Sequence, residues 1–162
     1  MKASRCLYPG SFDPVTLGHM DMIRRAAAIF DMVVVGVLHN PEKQGCFSVE
    51  QRVDMLKRAC AGIPNVQVIS YGGLLAQLTQ EMDISVVVRG VRGVNDLESE
   101  TAMARINHQL NPALETLFLP ASPDVGEISA SMVRQLAAFG ADLSSYVPPE
   151  ALPDILAAFQ HP

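Results

Sequence analysis

The run Thr16-Leu17-Gly18-His19 joins a histidine to a residue with no side chain where a helical pattern begins. Gly18 lets a bulky group approach the main chain. His19, in the first turn, lies beside unpaired N–H groups and the positive end of the helix dipole, which together attract anions. The same field disfavours a protonated imidazole, so His19 is expected to donate a hydrogen bond in its neutral form. Phosphate is the ligand chemistry that suits such a pair. Ser11, Lys43, Arg89, Arg92 and the run Gly126-Glu127-Ile128-Ser129-Ala130-Ser131 supply further cations, hydroxyls and glycines.

These groups need a frame that gathers them. Short β-branched runs predict strands at Arg5–Tyr8, Met32–Leu38, Val66–Tyr71, Ile84–Arg89 and Thr116–Leu119. Val33-Val34-Val35 and Val86-Val87-Val88 are apolar on both faces, as strands of a parallel sheet covered on both sides must be. Helical patterns separate them. One runs to about Phe30 with Met22, Ile23, Ala26, Ala27 and Phe30 on one stripe, and a second opens on a Ser48/Gln51 capping box and reaches Cys60. A third covers Leu74 to Met82, and a fourth is capped by Asn95 with Glu98 and stops near Leu110. Ser129 caps a fifth ending at Gly140, and a C-terminal helix covers about 150–160. The reading is one doubly wound α/β domain, residues 1–162, with a five-stranded parallel sheet. In such sheets ligands bind outside the carboxyl ends of the strands, and each candidate group follows a strand there.

Composition narrows the partners. The net charge of −5 opposes nonspecific binding to a nucleic-acid backbone. No apolar run approaches the ~18 residues of a membrane span, and the N-terminus lacks the apolar core of a signal peptide. A cytoplasmic protein with no membrane or nucleic-acid partner is expected. Cys6, Cys46 and Cys60 show no metal-binding spacing and read as reduced thiols. No protein-held metal site is expected. The first loop has neither G-x-G-x-x-G nor G-x-x-x-x-G-K-[ST], which argues against a dinucleotide-binding oxidoreductase and a P-loop enzyme.

Thr16-Leu17-Gly18-His19 resembles the [HT]-x-G-H signature of the adenylyl- and cytidylyltransferase superfamily, and Ile128-Ser129-Ala130-Ser131 resembles its second, ISxSxxR-like motif. From Tyr8-Pro9-Gly10-Ser11-Phe12-Asp13-Pro14 to Pro148 the chain is similar to the bacterial phosphopantetheine adenylyltransferases. The resemblance implies a Rossmann-like sheet of order 3-2-1-4-5 and transfer of AMP from ATP to 4′-phosphopantetheine. Dephospho-coenzyme A and pyrophosphate would be the products, Mg2+ would arrive with ATP, and the assembly would be a homohexamer, a dimer of trimers.

The resemblance also implies roles for single residues. Ser11, His19, Lys43 and Arg92 would be catalytic. Ser11, Phe12, Gly18, His19, Gly90, Val91, Arg92, Glu100 and Val125, Gly126, Glu127, Ile128, Ser129, Ala130 and Ser131 would hold ATP. Ser11, Lys43, Leu75 and Arg89 would bind the acceptor. An acceptor phosphate already carries a nucleophilic oxygen near neutral pH, so direct in-line attack without a covalent intermediate is expected. Ser11, Ser99, Val125 and Ala130 depart from residues common in that family, which bears on adenine and acceptor contacts.

Plainer roles exist for some of these side chains. Arg89 could simply pair with Glu98 or Asp96, Lys43 is flanked by polar residues like any surface lysine, and N-capping alone accounts for Ser129. Asp13 before Pro14 reads as a turn former. Two other functions share these features: another nucleotidyltransferase, for a nicotinamide nucleotide or glycerol phosphate, and a non-catalytic adenine-nucleotide sensor.

Overall fold

A computed structural model describes residues 4–160; residues 1–3 and 161–162, the ends of the expected domain, lie outside the described residues. The strands are β1 (Arg5–Gly10), β2 (Met32–Leu38), β3 (Val66–Tyr71), β4 (Val86–Val91) and β5 (Glu115–Pro120). All pair in parallel in the order β3-β2-β1-β4-β5. Between and after them come α1 (Leu17–Ile29), α2 (Val49–Ala59), α3 (Leu75–Glu81), α4 (Val94–Leu110), α5 (Ala130–Ala138) and α6 (Leu152–Phe159).

Alternation along the central strands builds two cores. Cys6 and Tyr8 of β1 join Val33, Val35 and Val37 of β2 in the larger core, against Met20, Ile23, Met55, Leu56, Val133 and Ile155 from the helices. Leu7 and Val34 point the other way, onto Leu78, Ile84, Val87 and Leu114. Val33, Val34, Val35, Val87 and Val88 are buried and Val86 is half-buried, so the valine triplets are apolar because both faces of their strands are covered.

Pairing is uneven across the sheet. β1 runs in register with β2 from Arg5↔Met32 to Gly10↔Val37, whereas β1 and β4 share one paired position, Leu7↔Val87. This sparse seam lies where the strand order reverses, the place where such sheets open a crevice. It also explains why β1 continues two residues past Tyr8: Pro9 lacks an N–H, but its β4 side carries no ladder bond there. Its carbonyl instead accepts from Arg89 Nη1 at 2.8 Å.

Local signals act as expected in most elements. Ser48 and Gln51 form the reciprocal capping box of α2, and Ser129 Oγ accepts from Met132 N at 3.1 Å. Gly140 ends α5 with φ +72°, the left-handed conformation that favours glycine. Three expectations need correction. Asn95 and Glu98 do not cap α4: the N-cap is Gly93, and Asp96 instead accepts from Arg92 N at 3.0 Å. β4 begins at Val86, because Ile84 is tied by its N–H to Thr79 at 2.9 Å, and runs through Gly90 to Val91. The last helix begins at Leu152, not residue 150.

No helix among the described residues is long and apolar enough to cross a membrane.

Candidate active site

The β1–α1 connection shapes one wall of a cavity of ≈ 330 Å³ over the carboxyl ends of β1 and β4. Thr16 is the N-cap of α1, and its side chain accepts from His19 N at 3.3 Å. The imidazole closes the reciprocal half, since His19 Nδ1 accepts from Thr16 N at 3.0 Å. A main-chain N–H can only donate, so Nδ1 must be the bare nitrogen. The ring proton of neutral His19 therefore sits on Nε2. Phe12 packs edge-on to the imidazole with ring centroids 4.8 Å apart, and Tyr8 packs edge-on to Phe12 at 5.6 Å. Phe12 itself takes φ +49° to reach that position.

The electrostatics keep His19 neutral. Burial, with the nearby Arg89 and Arg92 acting in the same direction, lowers its pKa to about 4. Burial pushes the Tyr8 hydroxyl well up, so it stays protonated.

Two helix N-termini face this edge. In the first turn of α1, Leu17 N donates to Tyr146 O and His19 N to Thr16 Oγ, leaving Gly18 N–H without a protein acceptor among the described residues. In α5, Met132 N is capped by Ser129, while Ala130 N–H and Ser131 N–H have no acceptor among the described residues. A Cβ on Gly18 would lie 3.2 Å from Val125 O and 3.3 Å from Ile128 O, so only a bare α-carbon lets the 125–128 loop settle against α1. Helix ends with free N–H groups are anion sites.

Arg89 enters from β4. Its Nε and Nη2 donate to the two Glu100 carboxylate oxygens at 2.7 and 2.6 Å, and Nη1 donates to Pro9 O. The plainer alternative, a pairing with Glu98 or Asp96, is not formed; the fork is with Glu100, two turns into α4. The Glu100 hydrogen bonds hold Arg89 more firmly protonated than usual. Of five guanidinium N–H groups three are engaged, so two remain for a ligand. Arg92 Nε lies 3.1 Å from Asp96 Oδ2, and the Arg92 main-chain N–H is what chiefly lowers the Asp96 pKa.

The cavity thus gathers Ser11, Gly18, His19, Arg89, Gly90, Arg92, Glu100, Val125, Gly126, Ile128, Ser129 and Ala130. Phe12 stands behind His19, fully buried. Glu127 lines a shallower hollow with Arg92. Ser131 is exposed one residue beyond the cavity wall, its Oγ 3.2 Å from Ser129 Oγ. Val91 closes β4, where its carbonyl accepts from Ala121 N at 2.8 Å. Lys43 lies in a separate hollow of ≈ 650 Å³ between β2 and α2. Arg52 Nη1, on that hollow, donates to the carbonyl of Ser11, on the first, at 2.9 Å, so this bond stands between the two. Leu75 sits at the start of α3 against the smaller core, outside both hollows.

Tyr8, Pro9, Gly10, Asp21, Met22, Asp96 and Ala121 also line the cavity and were not among the sequence candidates. A signal for some was present: Asp21 and Met22 follow Gly18 at three and four residues, one face of a helix. Asp21 Oδ2 accepts from Ser122 Oγ at 2.8 Å and pairs with Arg25, whose Nη1 also donates to Pro120 O at 2.8 Å. These bonds fasten the chain leaving β5 to α1. Among the described residues no group of three His, Cys, Asp or Glu is placed to hold a metal ion.

Comparison with known proteins agrees with this geometry. Residues 7–136 match the cytidylyltransferase-like family model. The chain is 46% identical over 142 residues to the phosphopantetheine adenylyltransferase of Caldanaerobacter subterraneus subsp. tengcongensis, covering 88% of this chain and 89% of that one. It is 44% identical over 159 residues to that of Finegoldia magna, covering 98% of each. A solved structure provisionally assigned as a nicotinate-nucleotide adenylyltransferase from Vibrio parahaemolyticus superposes with a TM-score of 0.67 at 19% identity, covering 97% of this chain and 96% of that one, and so shares the fold. With the motif order, the sheet order and these full-length likenesses together, the chain is a nucleotidyltransferase of the phosphopantetheine adenylyltransferase family.

Proposed function

We propose that the enzyme transfers AMP from ATP to 4′-phosphopantetheine, releasing pyrophosphate and dephospho-coenzyme A. The observation that carries this reading is the convergence, in one cavity, of a neutral His19 Nε2–H, two arginines and the helix-terminal N–H groups of Gly18 and Ala130, which have no acceptor among the described residues. An acid–base triad is not needed, because the acceptor phosphate oxygen is already a nucleophile. It attacks the α-phosphorus in line, that P–O bond forms as the bond to pyrophosphate breaks, and the electron pair leaves with pyrophosphate. The protein's part is positioning and charge stabilisation.

Gly18 N–H and His19 Nε2–H are the donors for phosphate oxygens, with Arg92 and the start of α5 on the leaving side. Arg89's two remaining N–H groups and Lys43 receive the acceptor phosphate, and Ser11 lies on the wall between them. Leu75 marks the side on which the pantetheine arm extends. Gly90, Val91, Glu100 and the segment 125–131 frame the adenosine. Mg2+ would enter with ATP and neutralise phosphate charge.

The apolar face of α4 supports assembly into the hexamer. None of its residues is buried, and Leu97, Met103, Ile106 and Leu110 are exposed. The setting is the cytoplasm.

The test is pyrophosphate release with ATP and Mg2+ and each of three acceptors: 4′-phosphopantetheine, nicotinamide mononucleotide and glycerol phosphate. Release with 4′-phosphopantetheine alone supports the proposal. Release with another acceptor instead, or nucleotide binding with no release, overturns it.

A further inference from the structure

We propose that Asp13 is a positioning residue that sets the acceptor loop, residues 40–47, against the nucleotide cavity. This rests on the functional reading above for the identity of the acceptor, but its geometry is independent of it. Asp13 is buried, which for a carboxylate calls for partners. Its two oxygens are shared between consecutive main-chain groups of the other loop: Oδ2 accepts from Cys46 N at 2.8 Å and Oδ1 from Phe47 N at 2.9 Å. The approach is close enough that a Cβ on Gly45 would lie 2.9 Å from Oδ2, so the glycine is what admits the carboxylate. Phe47 is buried and anchors the far side of the contact.

Asp13 is itself held from behind. Its carbonyl accepts from Arg134 Nη1 at 2.6 Å, and Arg134 belongs to α5, whose first residues line the nucleotide cavity. The chain of contacts therefore runs from α5 through Asp13 to the segment carrying Lys43. Lys43 has no side-chain hydrogen bond or ion pair among the described residues; its main chain is fixed by a local turn, Lys43 N to Asn40 O at 3.0 Å. Nothing but the loop's anchorage decides where its ammonium can reach. The turn-former role read from Asp13-Pro14 is thus joined by a long-range one.

Asp13→Asn tests this. The amide keeps one acceptor oxygen and turns an N–H toward a main-chain N–H. With ATP and 4′-phosphopantetheine varied separately, the acceptor KM should rise about tenfold while the ATP KM stays within about twofold. Gly45→Ala, which crowds the same contact from the other loop, should do the same; it also serves if Asp13→Asn fails to fold. Equal changes in both KM values, or no change in the acceptor KM, overturn the proposal. If the wild-type enzyme does not use 4′-phosphopantetheine, the functional reading falls, and amide hydrogen exchange decides the positioning claim alone. Faster exchange confined to residues 40–47 in the variant then supports it; unchanged or chain-wide exchange overturns it.

Discussion

The main-chain N–H of Thr16 donates to His19 Nδ1 at 3.0 Å, so the imidazole proton is held on Nε2. A histidine in the third helical position here replaces the glutamate or glutamine usual in a capping box. It ties a local helix signal to a chemical one. His19→Ala should lower kcat by about 10²–10³-fold, the range for losing one preorganised oxyanion donor. Steady-state kinetics measure it, and an unchanged kcat removes His19 from transition-state stabilisation. Thr16→Ala loses only the side-chain half of the cap. It should reduce stability by about 0.5–2 kcal/mol in denaturant unfolding.

The pH dependence of stability follows from the same ring. The folded His19 pKa is lowered from 6.5 to about 4, so between those values the unfolded chain binds a proton that the folded one refuses. This contribution is fully present above about pH 6.5 and is lost as pH falls toward 4. Unfolding free energy measured from pH 7 to 4 should decline more steeply in the wild type than in His19→Gln. Nitrogen NMR of the His19 ring should show a protonated Nε2 and a bare Nδ1 at pH 6; the opposite tautomer would contradict the hydrogen bond.

Gly18→Ala should act on the nucleotide and spare the fold. The added methyl meets two carbonyl oxygens of the 125–128 loop at 3.2–3.3 Å, so a displacement of that loop by a few tenths of an ångström would relieve it. The ATP KM should rise several-fold while the thermal midpoint changes little. A collapsed midpoint with an unchanged ATP KM would mean that the glycine serves packing alone.

Much of this was legible in the sequence because the deciding interactions are local. The Ser48/Gln51 box, the Ser129 cap and the valine triplets each state their structure within a few residues. What escaped depends on distance or competition. Asn95 yields its capping place because Asp96 reaches back to Arg92 N, and no periodicity distinguishes those two short polar side chains. Arg89 directly after three valines calls for a partner, yet that partner, Glu100, is named only when α4 lies beside β4. Asp13's second partner lies more than thirty residues away, beyond any local rule.

Arg89→Lys is the sharpest test of that pair. A lysine keeps the charge but cannot bridge both Glu100 oxygens and Pro9 O, so the fork is lost. Because the pair is part-buried, stability should drop by about 1–3 kcal/mol. The acceptor KM should rise more than the ATP KM. Kinetics unchanged from the wild type would show that a point charge suffices.

The exposed face of α4 predicts assembly. Ile106→Asp should dissociate the proposed hexamer to smaller species in sedimentation experiments while leaving the far-ultraviolet spectrum intact, since the side chain is 48% exposed in the single chain. A wild-type protein that sediments as a monomer would refute the hexamer.

The sparse pairing between β1 and β4 has a mechanical consequence. The sheet has a fault line beneath its own active site, crossed by one residue pair and by the Arg89 tie to Pro9. A nucleotide seated across that line acts as a rivet between two plates. Pulled apart along it, the empty enzyme should yield at a lower force than the loaded one, so that occupancy can be felt as toughness before any bond is made.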